Sequence, residues 1–187
     1  TPETPPPSAG LETAEGVNLI SQEKVFDYWF LDNEIFYLTP EGKINKITAD
    51  NQEEIVQNTS FDLLNNLIVS SDSQKIAVSF SKPEQFRIYS VAENLWQPLE
   101  QEIVKFTWST VTSTQISYLK KNGDLYSLAV YNFTAKTKKE NLIATLASQG
   151  INIDWIGPER ILVSEKPSYY KPASLLAFNP KTKKVEV

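Results

Sequence analysis

The residues best suited to act as a nucleophile lie near the start of the chain. Ser21-Gln22-Glu23-Lys24 has the S-x-x-K spacing of serine acyl-enzymes, in which the lysine activates a serine one helical turn away for acyl transfer. Here the segment stands at the entry of a predicted strand rather than on a helix. The accompanying S-D-N and K-T-G elements are missing from the sequence. We therefore expect no catalysis from Ser21 and Lys24.

Acidic residues are the second set of candidates, because two carboxylates at a fixed separation hydrolyse glycosides. The set consists of Asp27, Asp32, Asp62 and Asp154. Each is predicted at a strand end or turn, where aspartate is favoured for its hydrogen bonds to the local backbone. We expect structural roles for them. The sequence also lacks the D-x-D-x-D-G run of a calcium loop.

Histidine, cysteine and methionine are absent from the sequence. Without histidine there is no Ser-His-Asp triad, and without cysteine there is no thiolate nucleophile, disulfide or Cys-bound metal. We therefore predict a protein that is not an enzyme and has no catalytic, cofactor-binding or metal site. Because even position 1 is not methionine, we expect a processed protein or a piece of a longer one.

The charge balance argues against a nucleic-acid partner. The 187 residues include 18 basic and 23 acidic side chains, for a net charge of −5, whereas nucleic-acid binders usually carry a basic face. Two lysine clusters fall in predicted hairpins, where we expect them to form solvated loops. They are Lys136, Lys138 and Lys139, and Lys181, Lys183 and Lys184. We expect another protein as the partner.

The chain divides into two parts. Residues 1–16 are rich in proline and small polar residues, which predicts a disordered linker, and residues 17–187 form the predicted domain. Such a linker commonly separates an envelope domain from a membrane anchor, which would lie upstream of Thr1. No apolar run in the sequence approaches the roughly 20 residues that span a bilayer.

The predicted domain is all-β, because short β-branched and aromatic runs alternate with Asn, Asp, Gly, Pro and Ser clusters. One kind of strand recurs about every 40 residues, which is the period of a propeller blade. Its copies begin near Ile35, Ile76, Ile116 and Ile161. Only the segment 141–147 has a helix-like pattern, and it is too short to stand without packing.

Each repeat contains four predicted strands, which make one blade of a β-propeller. The strand before each leading isoleucine carries a large residue, and the spacing predicts that these residues occupy equivalent positions. They are Trp29, Val69, Trp108 and Trp155. Third strands are predicted at 43–47, 85–90, 124–131 and 174–178, and fourth strands near 54–57, 96–99, 140–144 and 184–187. We expect the large residues to fill the space between neighbouring blades.

These residues also carry a family resemblance. Val69-Ser70-Ser71-Asp72-Ser73-Gln74-Lys75-Ile76-Ala77-Val78 resembles the W-S-P-D-G-K-x-I-A-F element of TolB-like blades, although it lacks the Pro-Asp-Gly turn. The segments 106–109 and 123–128 are similar to the rest of such a blade, and the resemblance covers about residues 25–187. It implies a bacterial TolB-like or WD-repeat-like β-propeller. Similar blades occur in periplasmic Tol proteins, in prolyl-oligopeptidase-type peptidases and in anchored envelope proteins.

Propellers of this kind close with six to eight blades, so about four blades predict a partial ring with open edges, which pair readily with other chains. The segment 166–172 lengthens a strand connection in the fourth blade and offers two adjacent tyrosines framed by prolines. We expect Tyr169, Tyr170 and Lys171 to bind the partner, since rigid aromatic loops make good contact surfaces, unless one tyrosine folds back onto the blade.

The function expected from this reasoning is a non-catalytic protein-binding or scaffolding propeller of the bacterial cell envelope, periplasmic or at the surface. The alternative is the accessory propeller of a prolyl-oligopeptidase-type serine peptidase, whose catalytic domain would lie outside this chain.

Overall fold

The described part of the chain is built entirely from strands and turns. This computed structural model describes residue 21 and residues 23–99, 102–134, 140–147, 150–165 and 174–186. Within those ranges, sixteen strands form four antiparallel sheets of four strands each. In every sheet the strands lie in sequence order. Each sheet is therefore one blade.

The blades follow one another along the chain. Blade 1 consists of β1 (Asp27–Leu31), β2 (Glu34–Leu38), β3 (Ile44–Ile47) and β4 (Glu53–Gln57). Blade 2 consists of β5 (Leu64–Val69), β6 (Lys75–Phe80), β7 (Gln85–Ser90) and β8 (Leu95–Pro98). Blade 3 consists of β9 (Ile103–Trp108), β10 (Gln115–Asn122), β11 (Leu125–Asn132) and β12 (Glu140–Leu146). Blade 4 consists of β13 (Ile151–Gly157), β14 (Arg160–Glu165), β15 (Leu175–Phe178) and β16 (Val185–Glu186).

The predicted all-β fold of about four blades is confirmed. The segment with the helix-like pattern belongs to strand β12, because it pairs with β11 along most of its length. No strand of blade 1 pairs with a strand of blade 4 among the described residues, so the ring is not closed there. The domain is a partial propeller.

Antiparallel order places the connections at two opposite rims. We call the A rim the end that carries the hairpins between first and second strands, at 32–33, 70–74, 109–114 and 158–159. Asp32 and Asn33 both have positive φ, as a two-residue hairpin turn requires. We call the B rim the other end, which carries the turns between second and third strands at 39–43, 81–84 and 123–124.

The core consists of three apolar clusters, one between each pair of neighbouring blades. Because side chains alternate along a strand, each inner blade contributes to two clusters. In β6, Ile76 and Val78 pack toward blade 1, whereas Ala77 packs toward blade 3. We call the side of a blade that packs on the preceding blade its backward face, and the side that packs on the next blade its forward face.

The tryptophans do pack between blades, but the predicted equivalence of Trp29 with the other three large residues is wrong. The strand pairs that define the common position are Phe30–Ile35, Val69–Ile76, Trp108–Ile116 and Trp155–Ile161. Phe30 therefore occupies the position of Trp108. A shift of one residue moves a side chain to the other face of a sheet. Trp29 consequently packs forward with residues of blade 2.

Candidate binding site

The first strands of successive blades approach one another and form the inner wall of the partial ring. β9 lies against both β5 and β13. This is the arrangement around the central channel of a propeller. Side chains of these inner strands alternate between the backward and the forward face of the blade, and the polar residues Asn66, Lys105 and Asn152 lie in the first half of β5, β9 and β13. We therefore expect a binding site on the inner wall of blades 2 to 4.

A cleft of about 500 Å³ opens in this wall. Its apolar lining comes from blades 2 to 4 and consists of Ile68, Ala77, Phe86, Val104, Phe106 and Ile153. Its polar lining consists of Asn66, Ser79, Glu84, Lys105, Thr107, Asn152 and Asp154. A volume of this size and a mixture of apolar area with a few polar groups are typical of ligand sites, which span roughly 300–1,000 Å³.

One group of the cleft lacks a partner within the described protein. Ser79 is 3% exposed, and its hydroxyl has no hydrogen-bond partner among the described residues. Asn66, directly opposite Ser79 in the strand pairing, is exposed. A buried polar group without a partner costs about 1–3 kcal/mol. Because the Ser79 oxygen has almost no exposed area, a ligand that displaced a neighbouring side chain and bonded this hydroxyl would recover that cost.

The polar groups of the cleft offer both donors and acceptors. The Lys105 ammonium donates a hydrogen bond to the side-chain oxygen of Asn152, which joins β9 to β13. Glu84 and Asp154 are exposed and supply negative charge to a cleft whose lining also includes the Lys105 cation. The amides of Asn66 and Asn152 can each donate and accept. This combination fits a peptide backbone, which presents alternating donors and acceptors, better than a ligand of a single charge sign.

The cleft lies toward the B rim, since Glu84 belongs to a B-rim turn and Asn152 is near the start of β13. The connection between β14 and β15 leaves the same rim. Its base is closed by a hydrogen bond from the Glu165 amide to the Ser174 carbonyl oxygen at 3.0 Å. The predicted partner-binding residues Tyr169, Tyr170 and Lys171 fall within that connection, outside the described residues, as do residues 1–16 and Lys136, Lys138 and Lys139.

Ser21 is engaged in structural hydrogen bonds. Its hydroxyl lies 2.9 Å from the Tyr37 hydroxyl and 3.3 Å from a Glu53 carboxylate oxygen. Burial raises the pKa of the Tyr37 phenol, which also donates to Glu53. Lys24 is exposed and takes no part in these bonds. The S-x-x-K pair is therefore not assembled as an acyl-transfer site.

The four aspartates singled out in the sequence have different surroundings, and Asp62 accepts hydrogen bonds from Ser81 through its backbone carbonyl oxygen. The Asp27 carboxylate accepts a hydrogen bond from the Tyr28 amide at 2.8 Å, and Asp32 lies in a hairpin turn. Asp154 differs because its exposed side chain lines the cleft. The described residues contain no group of three or more acidic side chains placed to hold a metal ion.

Asp72 holds the A-rim turn of blade 2. Burial raises the pKa of its carboxyl, but hydrogen bonds from Ser113, the Gln74 amide and Ser70 outweigh burial, so the pKa lies below its usual range. Ser113 belongs to blade 3, so this bond links two blades. In the same rim, Lys181 forms an exposed ion pair with Glu159 at 3.1 Å.

The sequence motifs did not predict the cleft residues, because these residues belong to neither a catalytic motif nor an aromatic loop. A signal was present: Asn66, Lys105 and Asn152 are polar residues in the first strand of three successive repeats. The blade repeat makes those strands the inner ones. The pairing register needed to place the residues around one cleft is a property of the folded sheets.

Comparisons with known proteins address the fold. No protein-family model matches the sequence, and no curated protein is detectably similar to it. The chain is similar in structure to the β-propeller domain of the Trilobed protease from Pyrococcus furiosus, with a TM-score of 0.58 and 12% identity over 87% of this chain and 56% of that chain. It is similar to TolB from Acinetobacter baumannii, with a TM-score of 0.53 and 15% identity over 88% of this chain and 43% of that one. It is also similar to the WD40 repeats of RRP9, with a TM-score of 0.53 and 12% identity over 89% of this chain and 51% of that one.

Four-stranded sheets that follow one another in chain order around an inner wall define a β-propeller. The structural similarity to solved propellers supports the same fold. The chain is a partial propeller of the TolB-like or WD-repeat-like kind. It spans about half the length of these three solved chains and about a third of the Pyrococcus horikoshii acylaminoacyl peptidase chain, which it also resembles in structure. At these identities the likeness establishes the fold. None of the described residues belongs to a helix long and apolar enough to cross a membrane.

Proposed function

We propose that the propeller binds an extended segment of a partner protein in the cleft between Asn66, Lys105 and Asn152. The observation that carries this proposal is the buried Ser79 hydroxyl without a partner, which lines a cleft of both donors and acceptors. A peptide backbone satisfies such groups along its length, and the apolar lining accepts its side chains. Tyr169, Tyr170 and Lys171, which lie outside the described residues, are proposed to contact the same partner.

This role is non-catalytic and belongs to a scaffold of the bacterial cell envelope, periplasmic or at the surface. The resemblance to TolB-like blades and the structural similarity to TolB support the location. The Ser21 hydroxyl bonds Tyr37 and Glu53 rather than Lys24, and the sequence has no histidine or cysteine, which together support binding rather than turnover. An anchor upstream of Thr1 would hold the scaffold at a membrane.

A second candidate is the accessory propeller of a serine peptidase. It is favoured by the similarity to the propeller domain of the Trilobed protease. In that case the cleft would receive peptide substrate on its way to a catalytic domain outside this chain. A G-x-S-x-G motif and a late histidine in the complete reading frame would decide for the peptidase.

The proposal is tested by selecting random displayed peptides on the 187-residue chain and measuring their affinity for variants by calorimetry. Asn66→Ala and Lys105→Ala should each weaken binding about tenfold, the equivalent of losing one good polar contact. Asn65→Ala is the matched control, because Asn65 is exposed on the same strand and bonds the Ser81 carbonyl oxygen at 3.4 Å outside the cleft. If Asn65→Ala and Asn66→Ala weakened peptide binding equally, the cleft would be excluded as the binding site. The same would follow if the selected peptides bound both cleft variants with unchanged affinity.

A further inference from the structure

The cleft continues along the inner wall toward the A rim. A second space of about 490 Å³ adjoins it, and the two share the lining residues Ile68, Thr107 and Asp154. These three lie at one level of the inner strands, because each pairs with the residue after the leading isoleucine of its repeat. Asn66 and Lys105 pair two residues further along the second strand, nearer the B rim. The two spaces therefore form one groove that runs between the rims.

The second space, which we call the A-rim subsite, differs from the cleft in its chemistry. Among its described lining residues the one charged side chain is Asp154, and the other polar ones are serines and threonines. Two tryptophans contribute to its apolar lining, which consists of Ile68, Val69, Trp108, Trp155 and Ile156. Such a lining fits a large apolar side chain better than a charged one.

A β-bulge in β13 adds Ile156 to this lining. In blades 2 and 3 the residue after the large inter-blade residue is a buried serine, Ser70 or Ser109, whose amide bonds to the residue before the leading isoleucine. In blade 4 Gly157 takes that position, and Ile156 is the extra residue before it. The Trp155 indole nitrogen donates to the Gly157 carbonyl oxygen at 2.6 Å across the bulge. Bulges redirect side chains and are frequent beside functional sites.

Asp154 lies where the cleft and the A-rim subsite meet. Its side chain is exposed, and no residue in the described part of the chain forms an ion pair with its carboxylate. Lys105, the cation of the cleft, donates its hydrogen bond to Asn152 instead. A basic side chain of a bound segment would therefore meet an unpaired carboxylate at this point. Such complementary charge favours one partner over others.

We propose that the partner segment bound in the cleft continues to the A rim, with a large apolar side chain in the A-rim subsite and a basic side chain at Asp154. This inference rests on the proposed function, because it extends the segment that the cleft binds. Asp154 and Ile156 are two residues apart on β13, and strands rise about 3.3 Å per residue. The two anchoring residues of an extended segment are accordingly about two positions apart.

Peptides selected on the 187-residue chain test the chemistry of the segment. They should share a large apolar residue about two positions from a lysine or arginine. Ile156→Ser should weaken their binding about tenfold or more, because it removes apolar area that the complex buries. Leu95→Ser is the matched control. Leu95 is 53% exposed and Ile156 is 52% exposed, but Leu95 lies on the outermost strand of blade 2 and lines neither the cleft nor the A-rim subsite.

A double-mutant cycle assigns the apolar contact. Replacing the apolar residue of the peptide by alanine should weaken binding to the native chain about tenfold and should change binding to the Ile156→Ser chain much less.

Salt dependence assigns the charged contact. Asp154→Asn should weaken peptide binding and make it less sensitive to salt. Asp62→Asn, at an exposed carboxylate outside the groove, is the control and should do neither.

The variants separate this inference from the proposed function. If Asn66→Ala and Lys105→Ala weaken binding whereas Ile156→Ser and Asp154→Asn do not, the segment ends within the cleft. The inference would then be overturned and the proposed function would stand. If none of the four variants weakens binding, both are overturned. An additive cycle between Ile156 and the apolar residue of the peptide would also overturn the inference.

Discussion

The indole nitrogen of Trp108 donates a hydrogen bond to the carbonyl oxygen of Ile68 at 3.1 Å, from the first strand of blade 3 to the first strand of blade 2. The same ring packs in the apolar cluster between the two blades. One side chain thus supplies both bulk and a polar contact where the inner strands meet. It makes this position the most informative one for the stability of the ring.

Trp108→Ala should lower the free energy of unfolding by about 3–5 kcal/mol, the usual range for removing a buried large aromatic side chain. Trp108→Phe keeps much of the volume but loses the hydrogen bond, so it should cost less. Urea denaturation measures both. If Trp108→Ala were no more destabilising than Val111→Ala in the exposed A-rim turn, the blades would not depend on this contact.

Ser79→Ala separates binding from stability. Removing a buried hydroxyl that has no partner should leave the stability unchanged or increase it, whereas a hydroxyl with a structural role would cost stability when lost. Affinity for selected peptides should fall at the same time. Thermal denaturation and calorimetry on one preparation give both quantities. A less stable variant with unchanged affinity would contradict a ligand role for Ser79.

Asp72 predicts a pH dependence of stability. Its folded pKa lies below the ordinary value of 3.8, so its contribution is present above pH 3.8 and is lost as the pH falls through the folded pKa. The stability difference between the native chain and Asp72→Asn should therefore be largest near neutral pH and shrink in acid. Ser113→Ala removes one of the hydrogen bonds and should reduce this dependence. Denaturant midpoints at several pH values measure it, and a difference that grows in acid would show the opposite sign.

The chain should hydrolyse neither ester nor peptide reporter substrates. Its sequence offers no histidine or cysteine, and Ser21 bonds Tyr37 and Glu53 rather than Lys24. Fluorogenic assays at high protein concentration check this expectation. Turnover that disappeared in both Ser21→Ala and Lys24→Ala would identify a catalytic site and refute the binding-module account.

Tyr169 and Tyr170 remain a prediction of the sequence. Changing both to alanine should cost little stability if they stand on the surface, where substitutions usually change stability by no more than about 0.5 kcal/mol. Partner binding should nevertheless weaken, since the connection leaves the rim to which the cleft opens. If the double variant unfolds as readily as Trp108→Ala, the tyrosines belong to the core instead.

Much of the fold could be predicted because the strand repeat is local and its leading isoleucines are regularly spaced. The register of blade 1 could not, because Trp29 and Phe30 are adjacent aromatic residues and only the pairing of Phe30 with Ile35 decides which one faces backward. The position of the cleft could not be predicted either. Asn66, Lys105 and Asn152 come from three blades, so their proximity depends on long-range packing that spacing does not encode.

The central claim, that a partner segment lies in the cleft, is tested most directly by alkylation of single introduced thiols, which the cysteine-free sequence permits. Asn66→Cys places a thiol in the cleft, and Asn65→Cys places one beside it on the same strand. With a selected peptide added, the account predicts that alkylation at position 66 slows in proportion to the fraction bound, while alkylation at position 65 keeps its rate. Unchanged alkylation at position 66 under saturating peptide would contradict the account.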